Sequence, residues 1–555
     1  MLIKLSQNSP DVILLTGDYY VDHPSFGIAI IARLLESLSL SVWIVSQPDP
    51  ESNFSELKNL PQPKLFFGIT SGSLDSTLNL YTVNKVRRVN DVYSPGGKGK
   101  NRVKNAVITY ANALRNFFPE SVIIAGGVEA TLRKFAHYDF FDKKIKPSIL
   151  ENCGINYIFY GMAEKSLSSF VLLLKKKKFE KIKKLPGICY RVENPSSENE
   201  NYLFLPDFET LSNKQASLEK TSKLILSHTH FLEKKCLIQK QLKHTVISNP
   251  PSAPLNFEEI DRIYSLPFTY KPVPELPNST LPSYEAVKNT VISHRGCGGG
   301  CSFCSIGLLQ GKNISSRSVN NILKEVKKRK LKSISDLQAP SANMYGFKCK
   351  QQGKICRKIS CLFPSICPEL DFDENYYIQL LQSLKEKNIK INIASGLRHD
   401  ILSIKLLDYL LKNSLISGRI KVAPEHSESV ILKKMHKPGF PTFEKFVKNF
   451  KMLSKRYNKN ILIVPYLISA FPGATVENTK NLRNKLLNLI GFIPFQIQDF
   501  TPTPGSVATG MYFDSNSEFS KKEIETFRAM LTNKCQRKEK QRKHKHNTVK
   551  SKKRY

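Results

Sequence analysis

The sequence predicts an α/β protein: an N-terminal Rossmann-like, doubly wound parallel sheet, then a partial or full (β/α) barrel, then a disordered basic C-terminal tail. Three observations predict it. Short apolar runs alternate with helix-length amphipathic stretches in two separate blocks, the pattern of strands buried on both faces. The chain has 555 residues, too many for one core, so the two blocks read as separate domains. Its last 22 residues carry almost no apolar side chains and cannot form a core.

Residues 1–190 form the first block. Asp11–Leu15, Ser41–Val45, Lys64–Ile69, Ser121–Ala125 and Ile155–Phe159 read as buried strands, Gly17–Gly27 as a loop and Ile28–Leu38 as a helix. Gly126-Gly127 follows a strand directly, and parallel sheets bind ligands beyond their strand ends. Residues 191–285 break the rhythm and read as a connector: Asn194–Asn201 is polar, Ser217–Gln241 helical and charged, Asn249–Pro254 and Pro272–Pro282 proline-rich. Residues 286–515 resume it. Strands are expected at Thr290–Ser293, Ser333–Leu337, Ile391–Ala394, Arg419–Ala423, Ile461–Tyr466 and Phe495–Phe500, with a cysteine-rich insertion at 345–370. Residues 516–555 hold a C-terminal helix and the tail, where Lys534–Tyr555 is dense in Lys, Arg and His.

The formal net charge is +37, from 84 Lys and Arg against 47 Asp and Glu. Such a charge attracts nucleic acid, and RNA is an admissible partner, but lysines spread over the whole surface need no partner. No apolar run reaches the roughly 18 residues of a membrane span, and Met1–Gln7 lacks the basic and apolar regions of a signal peptide. A cytoplasmic protein without a membrane partner is expected.

Seven of the 11 cysteines fall between Cys297 and Cys367; Cys153, Cys189, Cys236 and Cys535 are scattered. Without an export signal, clustered thiols point to metal or redox chemistry rather than to disulfides. Cys297-Gly-Gly-Gly-Cys301-Ser-Phe-Cys304 sets three thiolates in a glycine-rich loop just after a strand. Three cysteines leave one iron of a four-iron cluster without a protein ligand, open to a small molecule. A zinc knuckle completed by His294 is the alternative, but zinc sites favour Cys-x-x-Cys pairs. Cys349-x6-Cys356-x4-Cys361-x5-Cys367 matches the thiolate count of a second iron–sulfur cluster or a zinc, with Lys348, Lys350, Lys354, Arg357 and Lys358 among them to offset charge.

The three-cysteine loop resembles that of the radical S-adenosylmethionine (SAM) superfamily, and the chain to about residue 530 resembles the YgiQ-type family, which has no assigned reaction. In the first block the resemblance rests on Thr16–Gly27, Phe66–Gly72 and Gly126–Ala130. In the second it rests on Arg295–Cys297, Ser302–Ile306, Ser316–Ser318, Ile393–Gly396, Ala423–His426, Lys437–Gly439 and Pro472-Gly473. It implies a radical SAM barrel in which Cys297, Cys301 and Cys304 hold a [4Fe–4S] cluster. SAM chelates the unique iron, an electron donor reduces the cluster, and cleavage of SAM to methionine and a 5′-deoxyadenosyl radical activates an unknown substrate. By the same resemblance Phe303 contacts adenine, and the backbone of Leu337, Gln338 and Ala339 receives the SAM amino group, where the family has Leu-Gly-Gly-Pro. Ser395 and Arg398 are candidates for ribose and carboxylate, and Glu425 or His426 for the substrate. The first domain resembles a cobalamin-binding domain. Asp22-His23-Pro24-Ser25-Phe26-Gly27 lacks that domain's Asp-x-His-x-x-Gly spacing, so His23 reads as a loop histidine and cobalamin stays open. The function expected is a radical SAM iron–sulfur enzyme; the alternative is a non-catalytic iron–sulfur or RNA-binding protein.

Overall fold

The computed structural model describes residues 1–532 apart from 100, 194, 196–199, 352 and 495–496. Parts of the expected Asn194–Asn201 loop and of the Phe495–Phe500 strand, Cys535 and the tail 534–555 lie outside the described residues.

The first sheet has ten strands. Its parallel centre runs, in space, Val42–Ser46, Val12–Thr16, Phe66–Thr70, Ile123–Gly126, Tyr157–Phe159. Alternate residues feed two apolar layers. Val12, Leu14, Val42, Ile44 and Phe66 pack on one face; Ile13, Leu15, Trp43, Val45 and Phe67 pack on the other. Period-two alternation with both faces apolar is why these runs contain almost no polar residue.

The expected connector does more than connect. Tyr202–Phe204, Cys236–Lys240 and Thr245–Ser248 extend the same sheet beyond the antiparallel strand Ile188–Val192. The helix expected over Ser217–Gln241 ends at Ser227. These strands were masked by their brevity and by flanking Lys234, Lys235 and Lys240; Leu237 and Ile238 still alternate between the two layers.

The second block is an open, partial barrel. Thr290–Ile292 pairs parallel with Asp336–Gln338, and Ser333–Ile334 with Lys390–Ile391. A parallel bridge joins Leu397 to Val422; Arg419–Glu425 pairs with Leu462–Ser469, which pairs with Gln498–Asp499. One expected strand, Ser333–Leu337, is thus split at Ser335 so that it serves two neighbours. The expected Ile391–Ala394 strand stops at Ile391 because the Ala394 and Ser395 amides donate to the Asp336 carboxylate, both at 2.8 Å, instead of to a ladder.

The halves are clamped together. Helix Val507–Asp514 lies so close to Leu218–Ser227 that a Cβ on Gly510 would sit 2.4 Å from the Glu219 Cα. The Asp514 carboxylate accepts hydrogen bonds from the Leu218 (3.0 Å) and Glu219 (2.9 Å) amides at that helix's N-terminus. Among the described residues no helix is long and apolar enough to cross a membrane.

Candidate active site

The Cys297–Cys304 loop follows the short strand His294–Arg295, and its three glycine carbonyls are each engaged. Gly298 accepts from the Cys361 amide (2.8 Å), Gly299 from the Ser360 hydroxyl (2.8 Å) and Gly300 from His436 Nδ1 (3.1 Å). The glycines are there because the insertion and Arg398 press on the loop. A Cβ on Gly299 would lie 2.3 Å from Arg398 Nη1, and one on Gly300, whose φ is +56°, 2.6 Å from the Ile359 carbonyl oxygen.

Arg398 brings positive charge to the thiols: Nη1 stands 3.7 Å from Cys301 Sγ. It is fixed from two sides. Asp400 accepts from Nε (3.0 Å) and Nη2 (2.6 Å), and Asn343 clasps the Arg398 backbone, accepting its N–H (2.9 Å) and donating to its carbonyl (3.0 Å). Burial opposes ionisation of Asp400, yet the guanidinium holds its carboxyl down at about 2. Burial pushes the Cys297 thiol up, against Arg398, and Cys304 up to about 12, aggravated by Cys301. Buried thiols such as Cys297 and Cys304, costly to ionise alone, suit a cationic metal centre, which stabilises thiolates directly. The donor set, the close-packed loop and the adjacent guanidinium fit an iron–sulfur cluster. No three His, Cys, Asp or Glu side chains among the described residues are grouped to hold a single metal ion. His294 does not join the thiols: it is buried beside Ser293 (3.0 Å), so the zinc-knuckle alternative has no fourth ligand there.

The other expected contacts are distributed as follows. Phe303 packs edge-on against Phe471, ring centres 6.4 Å apart. The Leu337 side chain is fully buried in the barrel core, leaving only its backbone for ligand. The Gln338 carbonyl accepts the Ser293 amide (3.1 Å) and its side-chain oxygen the Ser25 hydroxyl (2.9 Å). Ser395 donates its hydroxyl to Asp336 (2.6 Å) and faces the Ala339 amide (3.4 Å), so the segment after the second strand and the one after the third are one unit. Asp336, Asn343 and Asp400, which organise Ser395 and Arg398, carry no motif signal of their own. Glu425 ends its strand at φ +65°, buried, with Lys437 Nζ 4.0 Å away; burial raises its carboxyl despite Lys437 and Arg398. A non-glycine residue held there is strained, a feature that concentrates at functional sites. His426 instead accepts the Glu428 amide (3.1 Å).

Beyond the first sheet's strand ends lies a cavity of about 530 Å³, walled by Thr70, Gly126 and Gly127 on one side and Gln338, Ala339 and Pro340 on the other. Arg295, Glu164 and His294 also line it, and Arg295 Nη2, Glu164 Oε2 and His294 Nε2 are buried without a protein partner. The cavity therefore joins the Gly126-Gly127 turn to the segment expected to receive SAM. His23 does not line it, although its neighbours Pro24 and Ser25 do. Other motif residues of the first block hold its loops together, and Asp18 also reaches the cavity wall. Asp18 pairs with Arg102 (2.5 Å), and the Glu129 carboxylate ties Ser76 to the Val107 amide (3.0 Å).

The family described as Radical SAM N-terminal matches residues 2–290. A UPF0313 protein of Clostridium botulinum is 39% identical over 529 residues, covering 93% of this chain and 81% of that protein. The chain belongs to the radical SAM family of UPF0313 proteins. Further members similar to it come from Porphyromonas gingivalis, 38% identical over 91% of this chain and 83% of that protein, and Methanocella arvoryzae, 37% over 93% and 87%. The family places the chain among radical SAM enzymes, with its reaction unassigned. The structure of the radical SAM methyltransferase TsrM from Kitasatospora setae, with cobalamin and a [4Fe–4S] cluster bound, superposes with a TM-score of 0.50 at 12% identity, over 88% of this chain and 71% of that one. That likeness is one of fold.

Proposed function

We propose that this radical SAM enzyme holds a [4Fe–4S] cluster on Cys297, Cys301 and Cys304 and cleaves SAM reductively to act on a substrate still to be found. The observation that carries the reading is the three-thiol loop, sealed on one side by the insertion and held against Arg398 (3.7 Å from Cys301). When bound, such a cluster supplies the electron that splits SAM into methionine and a 5′-deoxyadenosyl radical. The chain's own residues do the rest. Arg398, neutralised in part by Asp400, offsets thiolate charge. The Ser360 hydroxyl and the Cys361 amide pin the loop through the Gly299 and Gly298 carbonyls. Asp336 fixes Ser395 beside the Ala339 amide, where SAM's polar groups are expected. Glu425, with the Lys437 ammonium 4.0 Å from its carboxylate, places a buried charged pair in the barrel interior on the side of Cys304.

Anaerobic, reconstituted and reduced protein should release 5′-deoxyadenosine from SAM, and Cys301→Ala should release none. Wild-type protein that binds RNA but leaves SAM intact would establish the non-catalytic alternative. The cavity beyond the strand ends favours a second reading, a bound corrinoid, since the Kitasatospora enzyme of like fold has cobalamin bound. Its volume lies in the usual range for buried ligands. Hydroxocobalamin should then co-elute with the protein on gel filtration; a histidine-ligated spectrum that His294→Ala abolishes would mark His294, which lines the cavity with its Nε2 unpartnered, as the ligand. Protein that stays colourless leaves the cavity to the substrate alone.

A further inference from the structure

We infer that Cys349, Cys356, Cys361 and Cys367 hold a second iron–sulfur cluster, seated against the backbone of the Cys297–Cys304 loop. This goes beyond the proposed SAM chemistry, which needs only three thiols.

The insertion has little to hold it together. Its regular structure is the two-residue ladder of Lys348–Cys349 with Leu370–Asp371 and the one-turn helix Ala342–Met344 at its base. Its apolar core is five residues: Met344, Phe347, Leu362, Leu370 and Ile401. Segments this small need a covalent or metal staple, and all four cysteines are free thiols. The chain nevertheless folds so that they converge. The Cys367 amide donates to the Cys361 carbonyl (2.8 Å), closing the turn between them. Cys349 is directly paired with Leu370, three residues past Cys367. Lys312, from beyond the SAM-cluster loop, reaches the Cys356 carbonyl (3.0 Å), the Cys356 thiol (3.2 Å) and the Lys358 carbonyl (2.6 Å). Lys358 in turn donates to the Cys367 thiol (3.2 Å). Two ammonium groups directed at sulfur are what an anionic thiolate cluster requires, and hydrogen bonds to sulfur are a known lever on its potential.

The choice of iron–sulfur over zinc rests on spacing. A single zinc ion needs its ligands grouped about one point, and among the described residues no three His, Cys, Asp or Glu are grouped to hold one metal ion. A cubane spreads its thiolates over separate corners, the arrangement read for the first loop too. The two centres would be neighbours: the Cys361 amide donates to the Gly298 carbonyl (2.8 Å), and an alanine methyl at Gly298 would lie 3.6 Å from Cys361 Sγ.

The test is iron, sulfide and zinc content, with Mössbauer and EPR spectra, on the anaerobically reconstituted full chain. Wild type should carry about eight irons per chain, two cubanes. Cys301→Ala should keep about four, with an EPR signal indifferent to SAM. Cys356→Ser/Cys361→Ser should keep about four whose signal shifts on adding SAM. Wild type with four irons that respond to SAM, or four irons and one zinc, overturns the inference, as does a double variant with as much iron as wild type. If the double variant aggregates, the iron content of Cys301→Ala decides alone: no iron there overturns it. Failure of the first cluster shows separately, as wild-type iron that never responds to SAM.

Discussion

At the scale of single residues, the active-site loop is explained by what touches it. Gly299 has no room for a methyl: its Cβ would meet Arg398 Nη1 at 2.3 Å and Cys297 Sγ at 3.3 Å. Gly299→Ala is therefore expected to displace Arg398 and lose most of the loop's iron on reconstitution. Gly307→Ala, three residues past Cys304 and with nothing within 4 Å of its Cβ, should be neutral within about 0.5 kcal/mol. Equal iron content in the two variants would refute the packing account. The thiols were legible in the sequence because ligand chemistry restricts residue type. Arg398 was legible only as a candidate; Asp400 stands two residues from it, but its contacts with Asn343, 55 residues earlier, and Cys301, 97 residues earlier, depend on the fold.

At the scale of elements, the halves depend on a few long-range caps. Asp514 ends one helix and caps another nearly 300 residues earlier, accepting from the Leu218 and Glu219 amides and the Ser217 hydroxyl. Asp514→Ala should cost about 1 kcal/mol, the usual worth of an N-cap, read as a lower urea midpoint. An unchanged midpoint would mean the contact is dispensable. The parallel strands were readable because burial on both faces makes them continuously apolar. Tyr202–Phe204, Cys236–Lys240 and Thr245–Ser248 were not, because strands of three to five residues are too short for their period to stand out from the polar segments between them.

At the scale of the whole molecule, buried histidines make the fold acid-labile. Burial lowers His23, His137, His294 and His399 from an ordinary 6.5 to about 3, and His426 to about 4. Between those values and 6.5 the unfolded chain binds protons that the folded chain does not, so stability falls as pH falls. The slope is about 1.4 kcal/mol per histidine per pH unit. The carboxyls of Asp139 and Asp400, each held at about 2 by an arginine against burial, add to the loss only below about pH 4. The melting temperature should therefore be flat above pH 7 and drop steeply from 6.5 to 4.5. The carboxyls of Asp18, Glu129 and Glu425, raised by burial, offset part of this fall, and a melting temperature that rises from pH 6.5 to 4.5 would contradict the burial of these rings.

What the sequence determined alone was composition-limited chemistry: two blocks of α/β rhythm, three thiols on a glycine loop, and four more within an insertion. Those follow from local rules, since strand periodicity and ligand identity are properties of neighbouring residues. What only the tertiary structure decided was juxtaposition. The insertion lies on the three-cysteine loop, Asp336 holds Ser395, and a cavity opens between walls that come from segments more than two hundred residues apart. Chain closure over such distances is set by the packing of whole layers, and no short stretch of sequence encodes it.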